Sequence, residues 1–348
     1  MRWSHRATRD SRADSVGMGT KTRGPASKGV VRIIVTGGTG FIGRKLVRSL
    51  CERGDDVTIF TRRRASACGA GFGARPTCCR GSGKVELVPW TPDRPGPWQN
   101  LVDGADAVVN LAGAGIFDER WTPDRKRVLR DSRILSTTLL AEAVERATNK
   151  PGVFVSGSAV GYYGTHCGDR ALIEDDLAGT DFLAQLTIEW EAAAAPARDA
   201  GVRVCHPRTG IVLGTDGGML AKLLPLFRAY VGGPVGHGTQ FIAWIHAADV
   251  IRAIEHAIDH ASMSGPFNMV APEPATMNDF ARELGDALDR PSHVRVPALA
   301  VKLALGEGSD AVLTGQRAVP HRLVAEGFAF LFPELASALA DLTSPPSI

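Results

Sequence analysis

Nothing in this 348-residue chain approaches the ~20 consecutive apolar residues that a membrane-spanning helix requires. Cysteine is scarce as well. Of the six, Cys78 and Cys79 are adjacent, while Cys51, Cys68, Cys167 and Cys205 are scattered. These spacings suit neither a disulfide framework nor a metal site. They fit reduced thiols, a cytoplasmic protein and no bound metal. Net charge is small, +3 from 40 basic and 37 acidic residues, so composition offers no basic field for nucleic acid or a membrane surface. Tyrosine is rarer still, with three residues, which restricts any chemistry that needs a phenol. No internal repeat stands out. Apolar content of 44% and charged content of 22% are those of an ordinary globular protein, long enough for one large domain or two lobes.

Residues 1–29 are rich in Arg, Ser and Gly, without apolar periodicity or the apolar stretch of a secretory signal. They read as a disordered extension or as a start assigned too far upstream, and the fold is expected to begin near Val30. There the β-branched run Val31-Arg32-Ile33-Ile34-Val35 breaks into Thr36-Gly37-Gly38-Thr39-Gly40-Phe41-Ile42-Gly43. Leu46, Val47 and Leu50 then fall at one-face helical spacing. Strand, glycine turn and helix in that order, with Gly38, Gly40 and Gly43 as G-x-G-x-x-G, form a dinucleotide fingerprint. Glycine allows the tight turn and close backbone approach, and the helix N-terminus presents amides and a positive dipole end to phosphates.

A second strand is expected over 55–60, ending in Thr61-Arg62-Arg63-Arg64. A carboxylate at this position suits the ribose hydroxyls of NAD, whereas arginine accommodates a 2′-phosphate. Arg62 and Arg63 therefore favour NADP over NAD, the alternative being a solvated basic turn. Residues 65–83 read as a surface loop, and 84–90 as a third strand. A fourth strand, from Ala107, ends in Asn110-Leu111-Ala112-Gly113, where small residues let a cofactor lie close. An amphipathic helix follows over about 123–147, then a fifth strand over 153–158. The alternation predicts an α/β fold with a Rossmann-type, doubly wound parallel sheet.

The motif Thr36 to Gly43, Asn110-Leu111-Ala112-Gly113, and Ser156-Gly157-Ser158-Ala159-Val160-Gly161-Tyr162-Tyr163-Gly164 resemble extended short-chain dehydrogenases/reductases of the NAD-dependent epimerase/dehydratase type. Arg120-Trp121-Thr122, Trp190-Glu191, Arg208-Thr209-Gly210, Ala243-Trp244-Ile245-His246 and Gly315-Gln316-Arg317-Ala318 narrow the resemblance. It points to the branch called "epimerase family protein", which carries a C-terminal domain of unknown function, and covers about residues 31–342. The resemblance implies that Gly37, Gly40 and Gly43 hold a pyrophosphate and that Arg62 or Arg63 meets a 2′-phosphate. It also implies that Asn110 and Ala112 line the adenine–ribose side, and that Ser158 hydrogen-bonds the reacting carbonyl or hydroxyl. Extended members carry Tyr-x-x-x-Lys on the next helix, the lysine lowering the tyrosine pKa for proton transfer. Here Phe182 and Leu186 stand in those places. Tyr162 and Tyr163 are the substitutes as acid/base, or else they are pocket wall or core.

The later chain reads as a sixth strand over 202–208, a helix over 219–230, a short strand over 241–245 and a helix starting near His246 and Asp249. Asp249 reads as a cap or dipole contact, and Thr276 caps a helix over 277–288. The chain then divides into a nucleotide-binding domain over 30–213, to which about 241–260 returns, and a mainly substrate-binding lobe with a helical end over 214–342. Arg208, His246 and Arg317 are candidate substrate contacts, with a core histidine and a structural ion pair as the respective alternatives for the last two. The expected partner is an unknown small molecule, with a homodimer through the Trp190-Glu191 helix by analogy. Two functions stand: an NADP-dependent oxidoreductase or epimerase on an unknown small polar substrate, a sugar derivative being one candidate, or a catalytically silent NADP-binding sensor or scaffold.

Overall fold

The structure, a computed structural model, describes residues 30–62, 83–165 and 168–344. The expected N-terminal extension, nearly all of the 65–83 loop, and Arg63 lie outside the described residues. The first half alternates as β1 (Arg32–Thr36), α1 (Phe41–Arg53), β2 (Asp56–Thr61), β3 (Val85–Pro89), β4 (Ala107–Asn110), α2 (Pro123–Arg146) and β5 (Val153–Ser156). It continues through β6 (Ser158–Ala159), α3 (Phe182–Ala192), α4 (Ala195–Asp199), β7 (Arg203–Thr209), β8 (Ile211–Leu213) and α5 (Gly218–Arg228). Next come β9 (Phe241–Ile242), β10 (Trp244–His246), α6 (Ala247–Asp259), β11 (Gly265–Met269), β12 (Ala275–Thr276) and α7 (Met277–Leu288). Four short helices close the chain: α8 (Ala298–Leu305), α9 (Asp310–Leu313), α10 (His321–Ala325) and α11 (Leu335–Thr343).

The main sheet runs β11-β7-β5-β4-β1-β2-β3, every pairing parallel, with β6 also on β7. Both faces are covered, which is why the inner strands read as continuous apolar runs. Ile33 and Val35 point to one side, with Val109, Val153 and Val155, under Leu46 and Leu50 of α1 and Val250 and Ile254 of α6. Ile34, Val108 and Phe154 point to the other, under Leu140 and Val144 of α2 and Ala197 of α4. Truncating a fully buried Leu46 or Leu140 in such a layer costs roughly 2–5 kcal/mol.

The expected fourth and fifth strands are shorter than the sequence pattern suggests. β4 stops at Asn110 and β5 at Ser156, with the Gly157 amide still donating to the Asn110 carbonyl at 2.9 Å. In register, Thr36 lies opposite Asn110, and Asn110 opposite Ser156, so three strand ends form one ledge. Ser158 then pairs with Arg208 across β6 and β7. Ligands of open α/β sheets bind at such carboxyl ends.

A third core fills the later chain, where Leu220, Leu224 and Phe227 of α5 meet Phe280 and Leu284 of α7 and Leu335 and Leu339 of α11. Thr276 caps α7 as expected, in a reciprocal box with Asp279. Asp249 does more than face the α6 dipole. It is fully buried, and its carboxylate accepts the Leu331 and Phe332 amides at 2.8 and 2.9 Å, tying the C-terminal segment to the sheet layer. Among the described residues no helix is long and apolar enough to cross a membrane.

Candidate nucleotide and substrate site

The glycine turn is built so that no side chain could replace hydrogen at two of its positions. Gly37 has φ +68, and a Cβ there would sit 2.6 Å from the Leu111 carbonyl oxygen. A Cβ on Gly43 would sit 2.1 Å from the Gly37 carbonyl oxygen. Gly38 is buried against Ile59, while Thr39 and Gly40 are exposed. α1 begins on Gly40 with no side-chain cap and no acidic residue in its first turn. Its leading amides and dipole therefore face outward unopposed, which suits a pyrophosphate. Phe41 and Ile42 serve differently. Ile42 packs on the main core, and the Phe41 ring packs on Gly214 and Gly217. Arg44 and Lys45 add ion pairs to Asp216, 2.6 and 2.8 Å, and clamp that loop beside the turn. Burial disfavours the Asp216 charge, but the hydrogen bonds and charges of Lys45 and Arg44 outweigh it and hold its pKa low.

At the end of β2, Thr61 is buried and Arg62 is exposed. The Asn110 side chain does not line the ledge as the resemblance implies. It is fully buried, accepting from Thr36 Oγ1 at 2.5 Å and from the Ala112 amide at 3.2 Å, and donating to Thr137 Oγ1 at 2.8 Å. Thr36 and Asn110 thus position Leu111, Ala112 and Gly113, of which Leu111 and Ala112 are half-buried and Gly113 exposed.

Beyond the ledge lies a polar cluster whose centre is a residue not singled out as functional, Glu191. Ser158 Oγ donates to Glu191 Oε1 at 2.6 Å. Arg208 donates from Nε to the same oxygen at 2.9 Å and from Nη2 to Oε2 at 3.1 Å. Arg208 is 2% exposed; burial alone would depress its pKa, and Glu191 more than reverses this. Arg208 is therefore a buried half of an ion pair rather than a free substrate contact. The Tyr162 ring, half-buried, stacks on its guanidinium 3.4 Å away. Glu191 carries a legible signal, the Trp190-Glu191 pair. Trp190 is buried and donates to Thr137 at 3.0 Å, so both side chains point inward.

Tyr163 is not a proton acceptor near neutrality. It is 4% exposed, its hydroxyl donates to Asn268 Oδ1 at 2.7 Å, and burial pushes its pKa up to about 12 against the opposing pull of Arg208. The helix register also shifts by one from expectation. Phe182 and Leu186 pack with Trp121 and Leu129. The face toward Gly161 and Ser158 carries Leu183, Thr187 and Glu191 instead. It holds neither tyrosine nor lysine.

The other substrate candidates lie apart from this cluster. His246 caps α6, accepting the Ala248 amide on Nδ1, with Nε2 3.2 Å from Asp341 and its ring on Phe332. Arg317 donates to the Asp169 carbonyl at 3.1 Å and covers Phe241. Asp169 and Phe241 line a cavity of about 240 Å³. A second, of about 290 Å³, shares Thr165 with it and is walled by Trp121, Lys126, Asp181, Phe182, Glu307 and Asp310. The C-terminal segment thus walls both cavities, through Leu313 and Thr314 in the first and Glu307 and Asp310 in the second. Among the described residues no group of His, Cys, Asp or Glu could hold a metal ion.

Two histidines, His246 buried and His206 half-buried, set an acid limit. Burial lowers the pKa of His206, despite the nearby Glu191 charge, and of His246, despite Asp341. Both stay neutral in the folded chain at pH values where the unfolded chain, near the ordinary 6.5, already binds protons. Stability is therefore full above that value and falls as pH drops through it, each retained difference of one proton adding ~1.4 kcal/mol per pH unit. Urea midpoints measured from about pH 8 down to about pH 5 should fall below pH 6.5, and His206→Asn should flatten the fall. A midpoint independent of pH would contradict this assignment.

A family model described as NAD dependent epimerase/dehydratase family matches residues 33–270, and one described as Domain of unknown function (DUF1731) matches residues 296–342. An epimerase family protein of Mycobacterium leprae is 39% identical over 90% of this chain and 96% of its own length. The chloroplastic epimerase family protein SDR39U1 homolog of Arabidopsis thaliana is 38% identical, over 88% of this chain and 85% of its own. Among solved structures, the human epimerase family protein SDR39U1 with NADPH superposes with a TM-score of 0.77 at 33% identity, covering 90% of this chain and 99% of that one.

Proposed function

The chain belongs to the NAD dependent epimerase/dehydratase family, and from that premise we propose that it binds NADP and acts as an oxidoreductase or epimerase on a small polar, sugar-derived substrate. The nicotinamide cofactor itself fits the cradle made by Gly37, Gly40 and Gly43, where side chains are excluded at Gly37 and Gly43 and helix amides face outward. Arg62, exposed at the end of β2, supports the 2′-phosphate form, as does the NADPH carried by the human relative. When bound, the cofactor supplies hydride exchange.

The observation that carries a chemical role is the 2.6 Å hydrogen bond from Ser158 Oγ to Glu191 Oε1. Ser158 can take a proton from a substrate hydroxyl on Oγ as its own proton passes to Glu191. In the reverse direction Glu191 returns the proton through Ser158 to a carbonyl oxygen. Arg208 holds both Glu191 oxygens and so fixes the carboxylate for that exchange. Tyr162, stacked on Arg208, supplies a half-buried phenol at the same mouth. A silent NADP sensor is the second reading, favoured by the absence of a Tyr–Lys pair on the α3 face toward Ser158.

Nicotinamide fluorescence titrations with NADPH and NADH test the cofactor first. NADPH should bind more tightly, and Arg62→Glu with Arg63→Glu should weaken it by roughly 10–100-fold, the worth of a charged hydrogen bond, while sparing NADH. Binding of neither nucleotide would overturn the proposal. A screen of carbonyl and sugar-nucleotide substrates then separates enzyme from sensor, since turnover should collapse in Ser158→Ala with NADPH binding retained.

A further inference from the structure

Arginine is seldom buried without a carboxylate, because removing its charge from water is costly unless an anion compensates. Arg133, on α2, is such a case. It is 9% exposed, and two of its N–H groups are hydrogen-bonded, both to carbonyls: Nη1 to Leu129 at 2.9 Å and Nη2 to Ala114 at 2.9 Å. Among the described residues no carboxylate pairs with it. The nearest charge of consequence is another cation, Arg125, which reaches the same loop through the Gly115 carbonyl at 2.7 Å. Burial first, and Arg125 second, push the Arg133 pKa down to about 10. The other two buried arginines of this region have what Arg133 lacks, since Arg208 holds Glu191 and Arg125 reaches Glu119.

Its position says what is missing. A Cβ on Gly113 would lie 3.3 Å from the guanidinium carbon, so an exposed glycine leaves the group one hydrogen atom's thickness below the ledge. Leu111, two residues earlier, touches Gly37 of the phosphate cradle. On the other side the guanidinium lies 5.2 Å from the Trp190 ring, and Trp190 packs on Gly157, next to Ser158. Arg133 therefore stands between the cradle and the proton-exchange pair.

We infer that Arg133 is an anion-binding residue of the nucleotide crevice, supplying the counter-charge to a phosphate of the bound dinucleotide or to an anionic group of the substrate beside it. The inference rests on the nucleotide-binding reading above. It adds a contact that neither the fingerprint nor the β2 arginines provide. Gly113 is part of the same device, because any side chain there would close the path from guanidinium to ligand.

The test is carried out on the full chain with Arg133→Met, Arg133→Lys and wild type. NADPH dissociation constants are measured by fluorescence at low and high salt, and melting temperatures are recorded without ligand, with inorganic phosphate, and with phosphate on top of saturating NADPH. If the dinucleotide supplies the anion, Arg133→Met weakens NADPH tenfold or more and flattens its salt dependence, with Arg133→Lys intermediate. If the substrate supplies it, NADPH affinity is unchanged, but phosphate stabilises the NADPH-bound wild type and not Arg133→Met. In either case the ligand-free Arg133→Met protein melts no lower than wild type, because a buried unpaired charge has been removed. Unchanged NADPH binding together with unchanged phosphate stabilisation would overturn the inference and leave the cofactor reading intact. So would a lowered melting temperature with normal binding, the result for a mere clamp on Ala114. Should Arg133→Met fail to fold, the same comparisons on Arg133→Lys decide. Wild-type protein that binds neither NADPH nor phosphate would overturn both.

Discussion

Replacing Glu191 with alanine should lower stability by about 3–5 kcal/mol, more than the loss of any single contact it makes. The reason is what the substitution leaves behind. Arg208 has a side chain 3% exposed, and among the described residues its only carboxylate partner is Glu191. Its remaining bonds go to the Glu174 carbonyl and the Tyr163 hydroxyl, which cannot balance a charge. Ser158 loses its acceptor at the same time. Urea unfolding of Glu191→Ala checks the size of the loss. The double variant Glu191→Leu, Arg208→Met checks its cause, because removing both charges leaves no uncompensated ion and should recover much of the deficit. A deficit in Glu191→Ala under about 1 kcal/mol would show that the pair is solvated and weak. Glu191→Gln, which keeps the shape and loses the charge, should depress turnover while leaving NADPH binding near wild type.

The same residue shows where sequence reading stops. Glu191 acquires its role from Ser158 and Arg208, 33 and 17 residues away, and only the pairing of β6 with β7 brings those two side by side. Helical periodicity could not choose between the 182/186 and 183/187 faces of α3, since both carry apolar residues. The choice is made by Gly161, whose missing side chain lets Leu183 approach. Likewise β11, the edge strand beyond β7, reads Gly-Pro-Phe-Asn-Met, a poor strand by propensity, held by its register on β7 and by Asn268 within the polar network. Elements set by local rules were legible. The β1 run and its glycine break, Pro123 opening α2, and the Thr276–Asp279 box all depend on neighbours within a few residues. Asn110 falls between the two cases: its place at the strand end was readable, but whether its amide faced ligand or core depended on Thr36 and Thr137.

Gly37→Ala should do the greatest damage to nucleotide binding, because two separate penalties fall on one methyl group. The backbone at φ +68 disfavours any L side chain by roughly 1–2 kcal/mol. The methyl would also stand 2.6 Å from the Leu111 carbonyl oxygen and 2.7 Å from its carbon, both backbone atoms of the ledge. Overpacking against backbone costs roughly 1–3 kcal/mol, and here relief is available only by moving the glycine turn away from the ledge. These are the two surfaces between which the pyrophosphate is proposed to lie, so relief of the clash displaces the site. Gly40→Ala is the matched control. Its methyl would meet only the Gly37 carbonyl oxygen, at 3.2 Å, with φ −80, which any residue adopts. NADPH titrations should show Gly37→Ala weakened about 100-fold or more, the sum of the two penalties. Gly40→Ala should lie much closer to wild type, apart from what its methyl takes from ligand approach. Equal losses in both variants would mean that ligand contact, rather than turn geometry, limits this loop. Normal binding in Gly37→Ala would place the nucleotide elsewhere on the sheet edge.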